Sequence, residues 1–380
     1  SELSGNMIDL CPVGALTSKP FRYSARTWEL SRRKSVSPHD STGTNLIVQV
    51  KNNKVMRVLP LENEAINECW IADRDRFSYE ALNTDDRLLS PMLKQGGEWK
   101  TVDWQTALEY VANGLKQIKS EYGAESIGTL ASPHSTLEEL HLAASLMRGL
   151  GSENIDYRLR NADFSSSPSI RWLGTSIASL SQLQSVQVVG SNLRKDHPLF
   201  ALRIRQSVRN GCALSAINSV AELASADAWA MPIANTMLAS AEDWMQALAD
   251  VATAIAAEKA ISAPASGQAN DKAKEIALSL LRGERKAILL GNAAAHHANA
   301  SSLLMLANWI GEQTGATVGY LTEAANTVGA QWVGAQPAAA GLNAGQMLAG
   351  GLKATVLLNN EPEFDSAAGA QAARLGQGAG

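Results

Sequence analysis

Asp103-Trp104-Gln105-Thr106-Ala107-Leu108, running on to Tyr122-Gly123, then Ser126-Ile127-Gly128-Thr129-Leu130-Ala131, then Ser135-Thr136-Leu137-Glu138, decide the fold of this 380-residue chain. In the first run Trp104, Leu108, Val111, Leu115, Ile118 and Tyr122 recur every three to four residues, the period of a helix with one apolar face. Asp103 is its expected N-cap and Gly123 its stop. The second run is short and apolar, as a buried strand is. The third is a capping box that opens a second helix, which Gly149 and Gly151 should end.

Outward from this unit the alternation continues. Strands are expected at 185–190, 213–218, 286–291, 316–321 and 354–358, with helices near 198–210, 240–258, 271–282, 298–313 and 341–349. Elements alternating at these lengths predict an α/β architecture, parallel sheets covered on both faces in doubly wound, Rossmann-like domains. Ahead of them, Thr44–Val50 and Val55–Leu59 alternate around Asn52-Asn53 and are closed by Pro60, so a β-hairpin is expected within an Arg-rich β-module over about 20–77. The Ala- and Ser-rich stretch 222–272, interrupted by Pro232, Pro264 and Gly267, reads as helices with a surface loop near 261–270. No repeat of 20 to 50 residues is evident.

Composition narrows the function. At 45% hydrophobic the chain can bury a sizeable core in two or three domains. A net charge of −4 gives no reason to expect nucleic-acid binding. No apolar run reaches the roughly 18 residues that cross a bilayer, so no direct membrane insertion is expected. Three scattered cysteines, Cys11, Cys69 and Cys212, argue against a disulfide scaffold.

Two strand ends carry loops of the kind that bind ligands. Val189-Gly190-Ser191-Asn192 leads to Asp196-His197-Pro198, and Leu290-Gly291-Asn292 leads to Ala295-His296-His297. Glycine there would let backbone amides approach a phosphate, although a glycine after a strand is more often a plain turn. Neither loop has GxGxxG and no GxxxxGK[ST] occurs, so NAD or ATP binding is unsupported. The six histidines, at 39, 134, 141, 197, 296 and 297, make no HxxxH or HExxH spacing. There is no GxSxG elbow. Cys69 and Cys212 read as small buried hydrophobes. Asp73-Arg74-Asp75-Arg76-Phe77 fits a salt-bridged surface or a domain seam. On residue chemistry alone, no catalytic set is complete.

One motif stands apart. Cys11-Pro12-Val13-Gly14-Ala15-Leu16 reads like the last ligand segment of a ferredoxin-type cubane, where a thiolate closes a four-cysteine set and proline stiffens the exit. One thiolate cannot hold such a cluster. With Ser1 at the start and Leu375–Gly380 after an apparent helix, the chain is expected to be a piece of a longer protein.

The first 90 residues resemble the large iron–sulfur subunit of respiratory NADH:quinone oxidoreductase, complex I. The residues that carry this are Cys11–Phe21, Ala25–Leu30, the hairpin ending Val55–Pro60, Asn63-Glu64 and Asn67–Tyr79. The remainder resembles more loosely the molybdopterin oxidoreductase fold. The resemblance implies that Cys11 is the last ligand of a [4Fe–4S] cluster whose other ligands lie upstream, with Gly14 and Ala15 offering N–H groups beside it. Residues 1–20 would then be the tail of a ferredoxin-like domain, flexible without its partners, and 21–77 a β-module without a cluster of its own. A relative's extra-cluster cysteine falls here on Ala72, and 26–40 holds none. A discontinuous Rossmann-like domain is expected over 78–165 plus 286–380, its strand near Lys353 feeding a region beyond Gly380, with a second domain inserted at 166–285.

In catalytic molybdenum relatives a metal ligand follows an Asn-Ile-Asp…Arg lead-in. Here Asn154-Ile155-Asp156…Arg158 leads to Ala162, which offers no ligand atom, with Asp163 after it. Where relatives clasp the pterin with glycines, this chain has Asn292-Ala293-Ala294-Ala295. The resemblance thus implies an electron-transferring and bracing role on the cytoplasmic side of the bacterial inner membrane. The chain would sit in the peripheral arm, against other complex I subunits, within an oxidoreductase whose activity this chain alone would lack. No molybdopterin and no NAD would be bound. The alternative is a catalytic molybdenum or tungsten enzyme such as a formate dehydrogenase.

Overall fold

The computed structural model describes residues 2–165, 170–221, 225–338 and 340–373. The chain forms two compact units, Ser1–Ala81 with Ser165–Ala325, and Leu82–Phe164 with Asn326–Gly380.

The first unit contains two sheets. Strands β1 (Ser31–Val36), β2 (Asn45–Lys51) and β3 (Lys54–Pro60) form an antiparallel sheet in the order β1-β2-β3. The expected hairpin is present: Asn52 and Asn53 take φ of 50° and 58°, the two left-handed residues of a tight turn between twisted strands. β1 was not anticipated, because Ser31-Arg32-Arg33-Lys34-Ser35-Val36 has no apolar alternation; all six residues are exposed. Following β4 (Met92–Gln95), β5 (Glu98–Thr101), β6 (Ile127–Ala131) and β7 (Ile155–Asp156) in the other unit, the first unit resumes. It then builds a parallel sheet from β8 (Ser185–Val189), β9 (Ala213–Asn218), β10 (Asn235–Leu238), β11 (Lys286–Leu290) and β12 (Thr317–Tyr320), in the order β10-β9-β8-β11-β12.

β8, β9 and β11 are near-continuous runs of buried residues, as a sheet covered on both faces requires. On one face lie Trp244, Leu248, Ile276 and Leu306; on the other, Phe200, Ile204 and Trp229. Each such side chain contributes about 1.5–3 kcal/mol on full burial. β10 lies inside the stretch expected to be helical; its Asn235-Thr236-Met237-Leu238 pairs in parallel with Ser215–Asn218, and sheet pairing overrides the Ala-rich composition around it. The loop at 261–270 is as expected.

The domain boundary at 286 is corrected. β11 bonds to β8 from Lys286↔Ser185 to Leu290↔Val189, and β12 bonds to β11, so both belong to the inserted domain. The chain leaves that unit only after Ala325. A parallel sheet with two edges had to be filled from both sides, and the strand alternation alone did not show which strands did so.

The second unit holds the hairpin β4–β5 and a parallel sheet in which β13 (Ala354–Leu358) and β7 flank β6. Asp103 caps the helix Trp104–Tyr122 by accepting from Thr106 N–H at 2.9 Å. The capping box of the next helix, Leu137–Leu150, sits one residue later than expected: Thr136 and Glu139 exchange the bonds, and Gly151, not Gly149, ends it. The apolar stripe of Trp104–Tyr122 is mostly exposed, with only Ala107 buried.

Candidate functional site

Cys11 follows the helix Asn6–Leu10 as its C-cap, donating its N–H to Met7 O at 3.2 Å. The chain then turns through Pro12 and Val13 into Gly14, whose φ of +67° favours glycine; a Cβ there would meet open space, so conformation alone selects the residue. The turn brings backbone N–H groups to the sulfur. The Leu16 amide, opposed by partial burial and helped by the amides of Val13, Ala15 and Gly14, holds the thiol below its ordinary pKa. Gly14 and Ala15 were expected to contribute; Leu16 contributes most.

The segment leading to Cys11, expected to be flexible, makes ordered contacts over residues 2–9. It is held by the short helix Asp73–Phe77, whose four charged side chains each take a different neighbour. Asp73 accepts from Ser4 Oγ at 2.8 Å and Gly5 N–H at 2.7 Å, while its own N–H donates to Glu2 O at 2.8 Å. Arg74 pairs with buried Asp40 and donates to Asp196 O at 2.8 Å. Asp75 accepts from Ser37 Oγ at 2.5 Å and faces His39 Nδ1 at 2.7 Å. Arg76, only 4% exposed, pairs with Asp9 at 2.5 Å and reaches Asn6 Oδ1 at 3.3 Å. Asn6 completes the tie, exchanging bonds with Ile71 O at 2.8 Å and Ile71 N–H at 3.1 Å. The run is thus a seam rather than a solvated face.

The seam extends to the parallel sheet of the same unit. Arg203, on the helix Pro198–Arg209, pairs with Glu68 at 2.7 Å and donates to Glu64 O and Ile66 O at 2.5 and 3.2 Å. Glu2 pairs with Arg194 and Lys195 at 2.8 and 2.5 Å. Sequence reasoning missed Asn6, Glu2 and Arg203, because a partner 65 or more residues away leaves no local signal.

No other cysteine joins Cys11. Cys69 is exposed, correcting its reading as a buried hydrophobe, and Cys212 is buried as expected. Among the described residues no three His, Cys, Asp or Glu side chains gather as a metal site. Among the described residues nothing stands beside Cys11 to complete a metal site.

The strand tips tell a different story. β8 and β11 are neighbours at the point where strand order reverses, the crevice where doubly wound sheets take ligands. Here it is shut. A Cβ on Gly291 would lie 2.4 Å from Ser191 Cβ and 2.5 Å from Gly190 O. A Cβ on Gly190, at φ +60°, would lie 2.8 Å from Ala294 N and 2.7 Å from the Trp244 ring. The amides that could cradle a phosphate are spent: Gly190 N–H donates to Ile217 O, Gly291 N–H to Val189 O and Ala293 N–H to Gly190 O. The glycines serve close packing. His197, wholly buried at the start of the next helix, has its pKa pushed down by burial. His296 faces Glu323 at 3.2 Å and His297 faces Ala241 O at 2.9 Å, so the adjacent pair takes separate partners.

In the second unit the Asn154–Arg158 lead-in is consumed by packing. Arg158 grips Asp156 with two bonds of 2.9 Å, Asp156 also accepts from Ala344 N–H at 3.0 Å, and Asn154 accepts from Leu342 N–H at 2.8 Å. Ala162 is exposed and offers no donor atom.

Residues 87–377 match the molybdopterin oxidoreductase family, and residues 30–80 match the NADH-ubiquinone oxidoreductase NDSU1/NuoG-like 4Fe-4S domain. The NADH-quinone oxidoreductase G subunit of Rickettsia felis is 38% identical over 212 residues, 56% of this chain and 31% of that protein. The NADH-ubiquinone oxidoreductase 75 kDa subunit of Reclinomonas americana is 36% identical over 228 residues, 56% of this chain and 32% of its own length. The matched region therefore spans about a third of these relatives. Among solved structures, acetylene hydratase from Pelobacter acetylenicus aligns with a TM-score of 0.43 and 14% identity, over 90% of this chain and 42% of that one.

Proposed function

The chain belongs to the molybdopterin oxidoreductase family, and from that premise we propose that it works as part of the iron–sulfur subunit of an NADH:quinone oxidoreductase, electron-transferring and structural. In this reading Cys11 is one ligand of a [4Fe–4S] cluster and the remaining ligands come from outside the described residues. When bound, such a cluster accepts and releases one electron at a time. The protein's part is to hold Cys11 as a thiolate beside the Leu16 and Val13 amides and to fix that turn through Asn6, Asp73 and Arg76. Its surroundings would be other subunits of the peripheral arm, on the cytoplasmic side of a bacterial inner membrane. The α/β body braces the assembly and neither takes a pterin nor turns over substrate by itself.

The observation that carries this reading is the match of residues 30–80 to the NuoG-like 4Fe-4S domain, just after the pinned segment that carries Cys11. The shut crevice at Gly190 and Gly291 weighs against the alternative, a catalytic molybdenum or tungsten enzyme. The test is spectroscopic. This chain alone, incubated anaerobically with iron and sulfide, should form no stoichiometric cubane, whereas Cys11→Ala in the full-length subunit should remove the paramagnetic signal of one [4Fe–4S] cluster. Molybdenum or pterin recovered with the purified full-length protein would overturn the reading.

A further inference from the structure

We propose that β1 is a docking edge for an extended acidic segment of a partner protein. The inference stands apart from the electron-transfer reading, since it rests on charge and strand geometry alone. Residues 19–57 hold nine Lys or Arg against two Asp or Glu, in a chain whose net charge is −4. Both of those carboxylates are already engaged, Glu29 with Lys51 at 2.8 Å and Asp40 with Arg74. Arg32, Arg33 and Lys34 on β1 have no carboxylate partner among the described residues. Of residues 22–36, Leu30 alone is buried.

The geometry selects the kind of partner. β1 bonds to β2 on one side and is the outer strand of its sheet, so its other edge has backbone groups open for pairing. Successive side chains point to opposite faces, which puts Arg33 on one face and Arg32 and Lys34 on the other. A nucleic acid or a membrane surface would meet one face only. A peptide strand added along β1 sends its own side chains alternately to both faces, so consecutive acidic residues would meet all three cations. Cations on an edge strand can also serve simply to repel aggregation. That role would not leave Tyr23 at 99% exposure, Trp28 at 82% and Val36 at 56% in the same stretch of chain. Exposed aromatic and apolar residues among arginines are the composition of a protein contact.

The test is fluorescence anisotropy on the whole chain with four labelled probes. These are a ten-residue peptide with three consecutive glutamates flanked by Val and Thr, its glutamine counterpart, its lysine counterpart, and an oligo-dT of equal length. Phosphatidylglycerol–phosphatidylcholine vesicles serve as a fifth partner. The glutamate peptide should bind roughly tenfold or more tightly than the glutamine one, weaken as salt rises from about 50 to 300 mM, and lose affinity when its central amides are N-methylated. The Arg32→Glu/Arg33→Glu/Lys34→Glu variant should lose the glutamate peptide and gain the lysine peptide, a swap that a misfolded variant could not give. Equal binding of the glutamate and glutamine peptides, tighter binding of oligo-dT or vesicles, indifference to N-methylation, or no swap in the variant would each overturn the proposal.

Discussion

The seam around Asp73–Phe77 and the crevice between the tips of β8 and β11 are both built from residues that, in sequence, suggest a ligand. In the seam every charge meets an opposite charge or a backbone dipole, and the result is a fixed peptide segment ending in a thiolate-favouring turn. In the crevice, glycines that could admit a phosphate instead admit each other's loops; buried polar atoms without a hydrogen bond occur in both regions, Ser191 Oγ, Asn292 Oδ1 and both His197 nitrogens here, Arg74 Nε, Asp75 Oδ2 and Arg76 Nε in the seam. The difference is one of room: ion pairs fix the seam around an exposed turn, whereas close backbone packing at Gly190 and Gly291 fills the crevice.

The largest effect should come from overfilling the crevice. Gly291→Ala forces a Cβ against Ser191 Cβ and Gly190 O, neither of which is the far end of a flexible side chain. A loss of about 3 kcal/mol or more in urea unfolding is expected, the cost of overpacking against backbone. Gly14→Ala, at a positive φ but in open space, should cost only about 1 kcal/mol. Equal costs would mean that the two loops are not built on different principles.

Next comes the seam. Arg76→Met leaves Asp9 and Asn6 Oδ1 without their cation, and Asp9 is itself 31% exposed and can turn to water. The loss should therefore fall below the 3–5 kcal/mol of a fully buried pair, at roughly 2 kcal/mol. The sharper readout is local: amide exchange should speed up over residues 3–11 and stay unchanged in β8 and β11. Uniform acceleration across both regions would show that the seam supports the whole unit rather than the Cys11 segment.

How much of this was legible in the sequence follows from how local each signal was. Strands β9 and β13 and the helices Pro198–Arg209 and Asp271–Leu281 matched within a residue or so, because periodicity and caps lie inside them. The Cys11 turn was legible for the same reason. β1 and β10 were not, since one is polar throughout and the other sits in an Ala-rich stretch, and both exist because a neighbouring strand offers hydrogen bonds. Membership of β11 and β12 in the inserted domain was hidden too, as pairing is a choice among partners far apart in sequence. The helix Trp104–Tyr122 shows the converse failure: its apolar period foretold the helix but not its exposed stripe.

The smallest effect probes a residue that meets both regions. His197 is fully buried; it feels Asp40 and Arg74 from the seam and Asn292 from the crevice, together with Asp196 before it. Burial outweighs the two carboxylates, and its folded pKa lies below its ordinary value. The unfolded chain then takes up a proton more readily than the folded one, so stability should fall as pH drops below the ordinary histidine value of 6.5. One group contributes a slope of at most about 1.4 kcal/mol per pH unit. His197→Gln should remove that share of the slope between about pH 7 and pH 5 even if it lowers stability overall, because glutamine takes up no proton there. An unchanged slope in urea titrations of the variant would place the proton uptake elsewhere and leave the seam and the crevice electrostatically independent.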